Sequence, residues 1–269
     1  MNEHRSLPDI DRFSIIMAMI LIAYALTAII TLPTQTLELQ LPGFLFELDI
    51  NYLTIIAVLV AVLAAAGCDW LISGHPFFEK KTRWQHWFIP ALTATIIGVP
   101  LNVMEVGPAW WWVFGLGGIL LAVVLVSEYI SVDAGDSRSP VAVISLSAVS
   151  LALFLTLAIS LRGSGVRLYL ILAAIAPAAF LVAARSLLLR TGGTVKTAWA
   201  VGITVILVQL AAGTFYLPLR PIQFGIVAVG TLFALITLAT NFVESRPSRT
   251  AWIEPLLLFV LFASSIFLF

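Results

Sequence analysis

Residues 168–190 read LYLILAAIAPAAFLVAARSLLLR, a long run that carries no charge before Arg185. A bilayer core about 30 Å thick needs roughly 20 apolar residues at 1.5 Å each. The run is continuous rather than alternating, and backbone groups in lipid must bond within their own segment, so a helix is favoured over a barrel strand. This stretch therefore predicts a membrane-spanning helix.

Eight further runs of the same kind predict an all-α, polytopic transmembrane bundle of about nine helices, which forms one domain over residues 1–269. The composition agrees, because 61% of the residues are hydrophobic and only 10% are charged, whereas soluble proteins are about a quarter charged. The predicted helices cover residues 13–32, 51–73, 87–104, 109–130, 140–161, 168–190, 197–217, 222–243 and 251–269.

Charge and cysteine content narrow the choice of partners. The net charge is zero, with 14 Lys and Arg against 14 Asp and Glu, which argues against a nucleic-acid partner. The single cysteine, Cys68, excludes an intrachain disulfide and is expected to be a buried, small, apolar residue. We therefore expect the lipid bilayer, and other membrane proteins, to be the partners.

Orientation follows from the basic residues, which concentrate in cytoplasmic loops. With the N-terminus in the cytoplasm, eleven of the 14 Lys and Arg fall on the inner side. An odd number of helices then places the C-terminus outside. The sequence thus predicts a multi-pass protein of a bacterial-type plasma membrane.

One link between helices has an internal pattern. Residues 37–50, LELQLPGFLFELDI, alternate between apolar and polar on both sides of Pro42 and Gly43, which suit a type II turn. This predicts a short outer β-hairpin between helices one and two. The hairpin either only connects the two helices, or forms a lid or a docking edge for another chain.

Five polar residues from five helices are expected at similar depth, about one turn inside the cytoplasmic boundary. Such groups are costly inside a membrane and are candidates for function. If the helices face inward, Asp69 or Glu128 could pair with Arg185. In the other interpretation, each group lies in the headgroup zone, with Arg185 extended toward water. The residues of this inner polar layer are Asp69, Glu128, Arg185, Asn241 and Glu254.

Interrupted helices are a second indication, because transporter sites often form where Gly or Pro breaks a helix. The third predicted helix is short and rich in Gly and Pro, and the sixth has a proline at its centre. Gly and Pro are also common in membrane helices that line no path. The candidate path-lining residues are Pro90, Pro100, Asn102, Pro177 and Gln209.

Catalytic, cofactor and metal sites are not predicted. The three histidines, His4, His75 and His86, lack the spacing of a haem or zinc site. No Gly-rich phosphate loop, HExxH motif or GxSxG motif is present. An enzyme would need an unfamiliar site built from Asp69, Glu128 or His86.

The function predicted from the sequence is a non-enzymatic subunit or assembly factor of a membrane complex. The basis is that small, closely packing residues outnumber deep polar groups. Alanines in residues 140–161 and 168–190 also predict that helices five and six form a tight central hairpin. The alternative function is a carrier of a small or lipophilic solute, using the interrupted helices three and six.

Overall fold

The computed structural model describes residues 8–29, 35–41, 44–50, 52–76, 84–133, 135–191, 196–244 and 248–264. Within these ranges the predicted helical segments are confirmed as nine helices, and two strands lie between the first and second helices. In chain order the elements are α1 (Ile10–Ile29), β1 (Gln35–Leu41), β2 (Phe44–Ile50), α2 (Tyr52–Ile72), α3 (Phe88–Val103), α4 (Pro108–Ile130), α5 (Ser139–Gly163), α6 (Leu168–Thr191), α7 (Thr197–Phe215), α8 (Pro221–Val243) and α9 (Ser248–Ser264).

Helix length separates these helices into two groups. Seven are long and apolar enough to cross a membrane, namely α1, α2, α4, α5, α6, α7 and α8. The 16 residues of α3 span about 24 Å at 1.5 Å per residue, less than a bilayer core of about 30 Å. The described part of α9 has 17 residues. Length and composition therefore support seven spans, while spans by α3 and α9 remain predictions.

The first helix begins three residues before the predicted start at residue 13. Asp9 precedes the helix, and its side chain accepts a hydrogen bond of 3.0 Å from the backbone N–H of Asp11. A carboxylate in this position satisfies one of the unpaired N–H groups of the first turn. The apolar run alone could not reveal this polar extension.

The two strands between α1 and α2 pair in antiparallel register. Leu39 lies opposite Phe46, and Gln35 lies opposite Ile50. Pro42 and Gly43, the predicted type II turn, lie outside the described residues. The side of a membrane on which these strands lie stays a prediction.

The chain forms two compact units, of which the first covers Met1–Val132. In this unit α2 packs against α1, α3 and α4, and α4 also contacts α1 and α3. Gly67 allows α1 and α2 to approach, since a Cβ atom there would lie 2.6 Å from Cγ2 of Ile16. Cys68 is buried as predicted.

The second unit, Asp133–Phe269, is centred on α8. This helix contacts α5, α6, α7 and α9. In its apolar stretch of 18 residues, 67% is buried. Gly225 of α8 lies against α5, where an added Cβ would be 2.6 Å from Cγ1 of Ile159. The predicted packing of α5 against α6 is present, but the central helix of this unit is α8 and not this pair.

The link between α5 and α6 contains a glycine in an unusual backbone conformation. Gly165 has a φ of 67°, in the left-handed region that glycine adopts readily. A residue with this backbone conformation ends a helix, so α5 and α6 are separate helices rather than one.

Candidate functional site

Polar side chains of the first unit meet at one end of its four helices. They come from the start of α1, the end of α2, the turn before α3 and the end of α4. Consecutive helices that share one end must run up and down in alternation. We call this group the first polar cluster, and it consists of Arg12, Asp69, His86, Trp87 and Glu128.

The closest contact in this cluster joins His86 and Glu128. Nδ1 of His86 lies 2.8 Å from Oε2 of Glu128, and the two side chains are 8% and 0% exposed. When the carboxylate is ionised it only accepts hydrogen bonds, and Nδ1–H of the imidazole is then the donor. The hydroxyl of Ser131 lies 3.4 Å from the same carboxylate oxygen. The pair thus fixes the orientation of the imidazole at the end of α4.

A second link ties α2 to the turn that precedes α3. The indole N–H of Trp87 donates to Oδ1 of Asp69 over 3.2 Å. The adjacent thiol of Cys68 donates to the backbone carbonyl of His86 over 3.4 Å. Cys68 and Asp69 of α2 therefore position His86 and Trp87 in the turn before α3.

Arg12 attaches α1 to the same end of the unit. Its Nη1 donates to the backbone carbonyl of Trp70 over 3.0 Å, and its guanidinium lies 5.4 Å from the centre of the Trp70 ring. Carbonyls in the last turn of a helix lack partners within the helix, so an arginine here satisfies one of them. Arg12 also pairs with Asp9 at 3.3 Å.

The second unit has its own polar cluster, where α6, α8 and α9 meet. Nη1 of Arg190 lies 3.3 Å from the hydroxyl of Thr237, and the carboxylates of Glu244 and Glu254 act on this arginine electrostatically. The amide of Asn241 donates to the carbonyl of Ala251 over 3.3 Å, which ties the end of α8 to α9. Asn241 and Glu254 were predicted at similar depth. They lie near the end of α8 and near the start of α9, two helix ends that are joined by this hydrogen bond.

The predicted inner polar layer is divided between the two units. Asp69 and Glu128 are buried in the first unit, while Arg185 is buried in α6 of the second. The described partner of Glu128 that the sequence did not predict is His86. Pairing of Arg185 with Asp69 or Glu128 would join the two units and stays a prediction.

The predicted path-lining residues occupy varied positions. Pro90 is buried in the first turn of α3, and Pro100 lies in its last turn, so this helix runs without a break between them. Pro177 and Gln209 are exposed on α6 and α7. The side chain of Asn102 lies outside the described part of the structure. These placements give α3 no central interruption.

Two surface grooves are lined almost entirely by apolar side chains. The first, about 190 Å³, lies between α1 and α2 and includes Met19 and Trp70. The second, about 310 Å³, lies between α7, α8 and α9. Its lining residues are Ile206, Leu210, Thr231, Ala234, Leu235, Leu238, Trp252, Pro255, Leu256 and Phe259. Neither groove is lined by the predicted path residues.

The chemistry available to the first polar cluster centres on the imidazole. A histidine held at Nδ1 by a carboxylate presents its Nε2 in a fixed direction. Among the described residues, no group of three or more His, Cys, Asp or Glu side chains is arranged to hold a metal ion.

The role of His86 was not predicted from the sequence. Its spacing from the other histidines gave no metal site, and it was considered only as a member of an unfamiliar enzyme site. The neighbouring aromatic residues give no signal of its burial, since Trp84 and Trp87 are 43% and 37% exposed. A buried histidine needs a polar partner, and Glu128 meets that need.

Comparison with known proteins gives one match. The profile of a family described as "Protein of unknown function (DUF5656)" matches residues 32–269, which is most of the chain. The chain has no detectable match among curated proteins or solved structures.

Proposed function

Because the chain belongs to the DUF5656 family, whose function is unknown, we propose a role from its own geometry. The protein is a multi-pass protein of the plasma membrane that serves as a non-enzymatic subunit or assembly factor of a membrane complex. Its spans are the apolar helices, and the end that carries the first polar cluster is cytoplasmic.

The observation that supports this proposal is that the buried polar groups form hydrogen bonds within the chain. Among the described residues, every buried side-chain nitrogen and oxygen atom has a hydrogen-bond partner. Thr93 donates to a carbonyl of its own helix over 2.7 Å, and the hydroxyl of Tyr24 donates to the carbonyl of Ala94. A solute path needs polar groups directed into a cavity. The buried polar groups of the described residues form hydrogen bonds with other groups of the same chain, which favours a structural role instead.

The alternative is a carrier, and one observation favours it. The groove between α7, α8 and α9 has a volume of about 310 Å³, at the lower end of the range for ligand pockets. Its apolar lining would suit a lipophilic solute and not a polar one.

Co-purification distinguishes the two roles. We expect a tagged protein, extracted in a mild detergent, to retain a membrane protein partner in fixed proportion, detected by mass spectrometry. The control is the same preparation from cells that express an untagged chain. A protein that carries a bound lipophilic molecule, with no protein partner, would overturn the proposal in favour of a carrier.

Reporter fusions test the proposed orientation. Fusions after residues 40 and 269 are expected outside, and a fusion after residue 80 is expected in the cytoplasm, because basic residues favour the inner side. Arg162 is a basic residue on the expected outer side. It donates a hydrogen bond to the carbonyl of Leu217 over 3.3 Å, which links the end of α5 to the residues after α7. A cytoplasmic signal at 40 or 269, or an outside signal at 80, contradicts the orientation.

A further inference from the structure

The smaller of the two apolar grooves lies between α1 and α2 and has a volume of about 190 Å³. Both helices are long and apolar enough to cross a membrane, so in the proposed membrane the groove lies at the depth of lipid hydrocarbon. Gly67 lets the helices meet in the groove, because a Cβ atom there would lie 2.6 Å from Cγ2 of Ile16. We call this the α1–α2 groove, and it is lined by Ile16, Met19, Leu63, Ala66, Gly67 and Trp70.

The α1–α2 groove runs along the helices and ends near the first polar cluster. Trp70 lies two residues before the end of α2, and Leu63 lies seven residues earlier, which is about 10 Å along the helix axis. Tryptophan is enriched where membrane helices meet the headgroup region. The groove therefore extends from the headgroup region toward the bilayer centre, as an acyl chain does.

A cationic side chain lies at the Trp70 end of the groove. The guanidinium of Arg12 lies 5.4 Å from the centre of the Trp70 ring. Its Nη1 donates to the carbonyl of Trp70 over 3.0 Å and lies 3.5 Å from the hydroxyl of Ser73, and its Nε lies 3.3 Å from a carboxylate oxygen of Asp9. Its Nη2 makes no hydrogen bond with the described residues. The side chain is 33% exposed, so the Nη2 donors are accessible to an anion.

We propose that the α1–α2 groove binds one phospholipid, with an acyl chain along the groove and the phosphate beside Nη2 of Arg12. The planar fork of an arginine is complementary to phosphate oxygens, and the apolar lining is complementary to a hydrocarbon chain. Water does not fill such a groove, since it would find no hydrogen-bond partners there. Another helix cannot enter it, because one helical turn occupies roughly 400 Å³. This inference rests on the proposed membrane location.

Native mass spectrometry of the delipidated protein in mild detergent tests the phosphate contact. We expect the protein to bind one molecule of dioleoyl phosphatidylglycerol more tightly than dioleoylglycerol, which has the same chains and no phosphate. Arg12→Gln is expected to weaken binding of phosphatidylglycerol at least about tenfold, since a hydrogen bond to a charged group is lost. It should leave binding of dioleoylglycerol unchanged.

Asp9→Asn separates recognition of phosphate from stabilisation of the helices. The carboxylate of Asp9 lies 3.3 Å from Nε of Arg12 and would repel a phosphate beside the same guanidinium. Asparagine retains an oxygen that can cap α1 but carries no charge. We therefore expect Asp9→Asn to bind phosphatidylglycerol several-fold more tightly than the wild type, the opposite of Arg12→Gln. Equal affinities of the wild type and both variants would overturn the phosphate contact.

Ala66→Phe tests the position of the acyl chain. Ala66 is exposed on α2 and lines the groove, so the larger ring fills the groove without entering the core. We expect this variant to lose most of its phosphatidylglycerol binding. Val58→Phe is the matched control, since Val58 is 62% exposed on the same helix and does not line the groove. Its affinity should equal that of the wild type.

The results that would overturn the inference differ from one another. Phosphatidylglycerol binding that survives Ala66→Phe contradicts the α1–α2 groove and assigns the lipid to another surface. Equal affinity for phosphatidylglycerol and dioleoylglycerol contradicts the phosphate contact. Release of the protein from native membranes by carbonate contradicts the membrane location itself. A protein partner, present or absent, bears only on the proposed complex, because the lipid measurements use the purified chain.

Discussion

Replacing His86 with leucine is expected to lower the free energy of unfolding by about 3 to 5 kcal/mol, because a buried carboxylate loses its closest partner. Glu128 is 0% exposed and lies 2.8 Å from the imidazole, so water cannot easily take the place of the histidine. The measurement is denaturant titration of the purified protein in a mild detergent.

The double variant decides whether the pair itself is responsible. His86→Leu combined with Glu128→Leu is expected to cost less than His86→Leu alone, since replacing both partners by apolar residues leaves no uncompensated charge. Asp9→Asn is the control, because the pair of Asp9 and Arg12 is 52% and 33% exposed and such pairs contribute about 0 to 1 kcal/mol. Additive or near-zero effects at His86 and Glu128 would contradict this account.

Gly117→Ala is expected to destabilise the protein by about 1 to 3 kcal/mol, the usual cost of overpacking a core. The added Cβ would lie 2.6 Å from Cγ2 of Ile97, where α3 crosses α4. That methyl group is on a β-branched side chain with little rotamer freedom in a helix, so the helices themselves must move apart. Thermal unfolding in detergent measures the effect.

Gly115→Ala provides a control in the same helix. A Cβ at this position would meet nothing within 4 Å, and alanine is a better helix former than glycine by about 1 kcal/mol. We therefore expect this variant to be neutral or slightly more stable. Equal losses of stability at Gly115 and Gly117 would mean that the helix crossing is not the cause.

The helices were predictable because a helix able to cross a membrane needs about 20 apolar residues, and apolar runs of about that length are visible in the sequence. The beginning of α1 was not, because Asp9 extends the helix into a polar stretch. The short α3 was predicted within one residue at each end, since residues 87–104 were predicted and the helix covers Phe88–Val103.

The candidate site was predictable only in part. Position along a helix gives the depth of a side chain, which is why Glu128 and Asp69 were identified. Depth does not give the direction in which a side chain points or its neighbour across the unit. The partner of Glu128 is His86, which lies 42 residues earlier in the chain, in the turn before α3. No periodicity along the chain connects the two residues.

The location of the first polar cluster has a consequence for biosynthesis. All of its described links join residues that precede Val132, the last residue of the first unit. The start of α1 and the end of α4 both lie at the end of the unit that carries this cluster. The first unit can therefore form these links while the ribosome is still translating the second unit.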